Sequence, residues 1–228
     1  MEEVMPIREV LAFLSDLKEH NDREWFAANK TRYLAAREAF ELRVRELISE
    51  ISGFDEDIKT VDAKDCLFRI YRDTRFSSDK TPYKTHFGAY IASGGGRKSP
   101  RAGYYLHLEP GASFLAAGLW CPEAHILKAL RRSVYENIDE FNEIRLSKEF
   151  AELFPVFFDE DKLKKLPPGF PKDFPEAEFL KLKHYIVEFP IEDKWMTEEL
   201  LAARVASVLK TAYPLNRFLN YTVDLLIT

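Results

Sequence analysis

Cysteine is scarce in this chain. Only Cys66 and Cys121 occur in 228 residues, too few and too far apart for a disulfide framework or a Cys-rich zinc site. Both read as buried or half-buried thiols, because free cysteine usually behaves as a small hydrophobe. No run approaches the ~20 apolar residues of a membrane span. The start, Met1-Glu2-Glu3-Val4-Met5-Pro6, is acidic and has no apolar signal region. The expected location is therefore the cytoplasm, with no membrane partner. There is no Gly-x-Ser-x-Gly elbow, no Walker loop and no His-Glu-x-x-His pair, so three common catalytic signatures are missing. Gly94-Gly95-Gly96 lacks the Lys-Ser/Thr and helix of a phosphate loop and reads as a flexible hairpin connection. No βαβ rhythm appears, which argues against a doubly wound parallel sheet. No repeat, low-complexity tract or long linker divides the chain, and a single domain over residues 1–228 is expected.

Aromatics and charge are plentiful. Eighteen Phe and ten Tyr supply a core that folds without staples. A first helix is predicted from Pro6 to His20, with Val10, Phe13, Leu14 and Leu17 on one face. A second runs from Arg23 to Ser52, with room for a break at Asn29–Thr31. Its stripe is Phe26, Tyr33, Phe40, Val44, Leu47 and Ile51. The period then changes. Cys66–Tyr71, His86–Ala92, Gly103–Glu109 and Ser113–Trp120 read as strands joined by short turns, an antiparallel meander. Helices are predicted from Pro122 to Asn137 and from Asp139 to Leu153. His184–Phe189 reads either as a short strand or as irregular chain. Thr197 would cap a helix to Tyr213, with Glu198 and Glu199 in its first turn. A last helix covers Pro214–Leu226. The predicted class is α+β: a central antiparallel sheet, about residues 66–120, packed against N-terminal and C-terminal helices.

The charge is uneven. The chain carries a net −5, which argues against a general nucleic-acid coat protein, yet residues 69–101 hold eight Lys or Arg against Asp73 and Asp79. Arg69, Arg72, Arg75, Lys80 and Lys84, with Ser77 among them, suit a carboxylate or a phosphate. Arg offers a planar fork and Lys a point charge. Tyr83 and His86 are the candidate proton-transfer groups. The expected partner is a phosphorylated or carboxylated small molecule. One alternative is a nucleic-acid-binding domain that stacks bases on exposed tyrosines. Another is a structural or protein-interaction domain whose charges pair internally. The sequence names no cofactor.

His107 and Glu109 lie two apart on a predicted strand and so share a face. With His86 on a neighbouring strand they would make a two-His, one-carboxylate set, which suits a metal with open positions. The spacing is not an established ligand motif, and a His at one end of a half-exposed strand is more often a satisfied surface or core residue, so no metal ligand is assigned.

The order Arg23-Glu24-Trp25-Phe26, Asn29-Lys30, Tyr33, then Phe68-Arg69-Ile70-Tyr71-Arg72-Asp73-Thr74-Arg75-Phe76-Ser77 and Asp79-Lys80-Thr81-Pro82-Tyr83-Lys84, then Gly103-Tyr104-Tyr105-Leu106-His107-Leu108 and Gly118-Leu119-Trp120 resembles the bacterial and fungal family catalogued as domain of unknown function 2461. The later Leu166-Pro167-Pro168-Gly169-Phe170 turn is also similar, with Pro168 where that family more usually has Lys. The resemblance covers most of the chain. It implies one domain with the 69–86 segment as its signature, and it supplies no substrate, cofactor or reaction.

Overall fold

A computed structural model describes residues 5–75, 77–197 and 201–227. Ten helices and four strands follow one another in it: α1 (Ile7–Glu19), α2 (Arg23–Ala28), α3 (Lys30–Ile51), α4 (Ala63–Cys66), β1 (Phe87–Ile91), β2 (Gly103–Leu108), β3 (Phe114–Leu119), α5 (Ala124–Glu136), α6 (Ile138–Leu146), α7 (Lys148–Leu153), α8 (Ala177–Leu180), β4 (Tyr185–Pro190), α9 (Leu201–Thr211) and α10 (Tyr213–Ile227). The class is α+β, as predicted. Among the described residues no helix is long and apolar enough to cross a membrane.

The N-terminal helices follow their patterns closely. Val10, Phe13, Leu14 and Leu17 of α1 are buried, as are Phe26 of α2 and Tyr33, Phe40, Val44, Leu47 and Ile51 of α3. The break falls at Asn29, whose side-chain amide donates to the Trp25 carbonyl at 2.9 Å and so closes α2. The helix predicted over Asp139–Leu153 is two helices. Ser147 is extended between them, and its hydroxyl takes the Ile144 carbonyl at 2.9 Å, competing with the backbone ladder. Glu198 and Glu199, expected in the first turn of α9, lie outside the described residues.

The sheet is an antiparallel meander in the order β1-β2-β3-β4. Its boundaries differ from the expected ones. The fourth strand is Tyr185–Pro190, paired along β3. Cys66–Tyr71 is no strand: Cys66 ends α4, and among the described residues the segment's strand-type pairing is limited to the isolated bridges Leu67–Ala89 and Tyr71–Tyr83. The two bridges are out of step. Four residue steps separate Leu67 from Tyr71, but six separate Tyr83 from Ala89, so Thr85 and His86 bulge from the ladder. A bulge interrupts regular pairing and re-aims the side chains it carries. At the other side, Phe157 bridges Val187, and the Phe158 amide donates to Ile186 at 3.0 Å.

One sheet face presents Ala89, Ile91, Tyr104, Leu106, Leu115, Ala117, Tyr185 and Val187, all buried. Helices α3, α9 and α10 pack behind it. Asn216 and Asn220, one turn apart on α10, fasten it to β2. The Asn216 amide donates to the Gly103 carbonyl at 3.0 Å, and Asn220 accepts from the Ala102 amide at 2.7 Å. Among the described residues, the other sheet face borders an open cavity, with Ile126 of α5 at its margin.

Candidate functional site

That second face floors a cavity of about 640 Å³, within the range of small-molecule sites. The pleat sets its lining. Tyr105 and His107 of β2, Phe114 and Ala116 of β3, and Ile186 and Glu188 of β4 alternate with the core residues and all reach the cavity. Ala116 and the glycines at 103 and 118 keep the floor low. Trp120 stands at one rim, half exposed, with its indole stacked on His184 at 3.9 Å. The next residue, Cys121, has φ of +48°, and its amide donates to His184 Nδ1 at 2.9 Å. This backbone, unusual for a non-glycine residue, holds the cavity wall.

A second cavity of about 560 Å³ opens beside the first. Arg37, Lys64, Arg69, Lys84, Arg97 and Lys98 line it with Tyr33, Leu67 and Phe68, and no carboxylate lines it among the described residues. Phe68, Lys84, Arg97 and Lys98 belong to both cavities. Three distant elements bring these cations together: α3 supplies Arg37, α4 supplies Lys64, and the β1–β2 connection supplies Arg97 and Lys98. That connection is not a loose loop. Gly94, Gly95 and Gly96 all have positive φ, and a Cβ on Gly96 would lie 2.6 Å from the Asp65 carbonyl oxygen. The loop docks on α4, where the Arg97 guanidinium donates to that carbonyl at 2.9 Å. Burial lowers the pKa of Lys84, and neighbouring Arg69 lowers it further. The Lys84 ammonium also lies 5.3 Å from the centre of the Phe68 ring.

The structure therefore divides the predicted site residues. Arg69 and Lys84 face the cationic cavity. Arg72, Arg75, Ser77 and Lys80 line neither cavity. Arg72 is held by Asp79 and Thr81. Arg75 forks onto Asp73 at 2.7 and 2.9 Å, and Lys80 donates to the Thr74 carbonyl at 2.8 Å. The Thr81 amide and Arg72 together hold the Asp79 carboxyl down to about 2. Tyr83 is in the aromatic core, stacked on Phe26 at 4.0 Å, with burial raising its pKa. Sequence reasoning missed Arg37, Lys64 and Trp120 as site residues. Arg97 and Lys98 were visible only as part of the local charge excess.

His86, on the bulge, lies beside His107, which lines the first cavity. Its ring centre is 4.2 Å from that of His107. His107 is stacked on Phe114 at 4.5 Å. Its Nε2 is 3.1 Å from Glu109 Oε2, and its Nδ1 is 3.0 Å from the Tyr105 hydroxyl. The Thr85 hydroxyl donates to Glu109 Oε1 at 3.1 Å. Burial, with His107 and Lys84 nearby, pushes the His86 imidazole down to about 4. Burial pulls the Glu109 carboxyl upward, but hydrogen bonds from His107 and Thr85 outweigh it and leave the group below its ordinary range. Gly88 makes this arrangement possible. A Cβ there would lie 2.5 Å from the Tyr105 hydroxyl. Gly88→Ala should displace that ring and destabilise the fold by about 1–3 kcal/mol, the usual range for overpacking; urea denaturation would measure it, and an unchanged midpoint would contradict the packing described.

The family described as conserved hypothetical protein (DUF2461) matches residues 9–218. No curated protein and no solved structure matches the chain.

Proposed function

The chain belongs to the DUF2461 family of conserved hypothetical proteins, and we propose that it binds a small-molecule anion with a planar or apolar body. The anionic group, a phosphate or carboxylate, sits among Arg69, Lys84, Arg97 and Lys98. The body lies across the sheet face towards Trp120. The observation that carries this reading is the continuity of the two cavities, one cationic and one aromatic, through four shared residues. Like charges gathered without carboxylates repel one another, and a bound anion relieves that repulsion. The loop cations Arg72, Arg75 and Lys80 already have partners, so they brace the 72–81 turn instead of holding the ligand. The contiguous core and the family match over 9–218 support reading residues 1–228 as a single domain. Two free cysteines suit the reducing cytoplasm.

Thermal unfolding with pyrophosphate, nucleoside monophosphates, citrate and short single-stranded DNA, each at low and high salt, tests the reading. A ligand at about 100 times its Kd stabilises by about 2.7 kcal/mol. The stabilisation should vanish in Arg69→Ala and Lys84→Ala and persist in Arg75→Ala. Stabilisation by none of the small anions, or stabilisation that survives both cavity substitutions, would overturn the proposal. Binding of DNA alone, with a steep log-log salt slope, would favour a nucleic-acid interface.

A further inference from the structure

We propose that His86, His107 and Glu109 form a binding site for a divalent transition-metal ion at the inner edge of the sheet cavity. One ligand atom from each side chain lies within 4.8 Å of the other two. Ligand atoms around one ion with bonds of ~2.1 Å stand ~3 Å apart, so modest side-chain rotation closes the set. Two imidazoles and one carboxylate select a borderline ion such as zinc or iron(II) over magnesium or calcium, which take oxygen donors.

The surroundings are those of a ligand set. His107 and Glu109 share a face of the sheet at the end of β2, and His86 reaches them from the bulge before β1. Gly88, which pairs with His107 across the strands, has no side chain to separate the two imidazoles. His86 has no hydrogen-bond partner among the described residues, although it is half buried. The atoms facing away from the ion are held: Thr85 donates to Glu109 Oε1, and the Tyr105 hydroxyl meets His107 Nδ1. Such outer contacts orient ligands and tune their basicity. In the geometry described, Tyr105 donates to Nδ1, and Nε2–H donates to Glu109. An ion on Nε2 requires the other tautomer. The imidazole proton then sits on Nδ1 and donates to the Tyr105 oxygen, while Glu109 turns its freed oxygen to the ion. The imidazole stays neutral throughout, and Tyr105 serves both states because its hydroxyl donates and accepts. His107 also lines the cavity, so the positions these three residues leave open face the space available to a small ligand.

Calorimetric titration of chelator-treated protein with zinc alone tests the site, with cobalt(II) absorption reporting the ligand field. Zinc alone separates this question from anion binding. One ion per chain is expected. His86→Asn and Glu109→Gln should each weaken binding by ~100-fold or more, and Tyr105→Phe by ~10-fold, with circular dichroism showing that each variant is folded. The exposed pair Glu123 and His125, 3.5 Å apart, is the control: His125→Ala should leave zinc binding unchanged. No zinc binding, binding that persists in both folded ligand variants, or binding that follows His125 would overturn the site. Should both variants unfold, cobalt(II) bands without the shift expected for nitrogen ligation would do the same.

Discussion

Gly118→Ala should destabilise the protein by about 3–5 kcal/mol, a large share of the ~5–15 kcal/mol that holds a typical domain together. Two independent effects add. The φ of +118° at this position is one that side chains rarely adopt, which costs ~1–3 kcal/mol. The new methyl would also stand 2.0 Å from the Tyr185 carbonyl oxygen and 2.9 Å from the Ile186 Cα. Both atoms belong to the backbone of β4, so no side chain can swing aside. The strands must separate, losing registered hydrogen bonds between β3 and β4. The Gly118 carbonyl also accepts from the Tyr90 hydroxyl at 3.0 Å, so the strain reaches β1. Equilibrium denaturation measures the loss. A loss under ~1 kcal/mol would mean that the strands are not spaced as described.

Phe141→Ala should cost a similar ~3–5 kcal/mol, the range for truncating a buried aromatic, by a different route. Phe141 is fully buried on α6. Its ring centre lies 5.2–5.6 Å from those of Phe157, Phe179 and Phe218, which come from the segment beside β4, from α8 and from α10. Removing it leaves a cavity that three separate elements border, and so little local collapse can fill it. The site lies elsewhere, so below its lowered melting temperature the variant should bind anions and zinc as the parent does. A variant that keeps its stability would show that the ring cluster repacks. Lost ligand binding in a folded variant would tie the cluster to the cavity.

The difference between those two positions also shows what a sequence makes legible. Helical periodicity identified α1 and α3 because each buries one stripe, and the residues of that stripe are the ones found inside. Strand-forming runs joined by short turns identified β1, β2 and β3. The same signal left β4 ambiguous, because the run follows the proline-broken stretch around Pro171 and Pro175 and no short turn joins it to a neighbouring strand. It also made a strand of Cys66–Tyr71, where β-favouring side chains outweighed the α4 turn capped by Asp62. The anion reading rested on local charge, and local charge does not say where a cation's partner is. Asp73 and Asp79, both visible, turned out to satisfy Arg75 and Arg72. The cations that join Arg69 and Lys84 come from α3, α4 and the glycine loop, up to tens of residues away, and nothing in the sequence marks their convergence. His107 and Glu109 were placed on one face by simple alternation. The bulge that swings His86 towards them depends on two bridges out of register, a relation between segments that no single segment encodes.

The bridges beside β1 and β4 have one further effect. Open sheet edges carry unpaired amides and carbonyls that invite another strand, and natural sheets shield them. Here Leu67 and Phe68 occupy one edge, where the Phe68 amide donates to Gly88 at 2.9 Å. Phe157 and Phe158 occupy the other. Each guard is too short and irregular to act as a template in its turn. Each bridge pairs one residue of an edge strand from within the same chain, which shortens the stretch of free edge that strand addition by another copy would need.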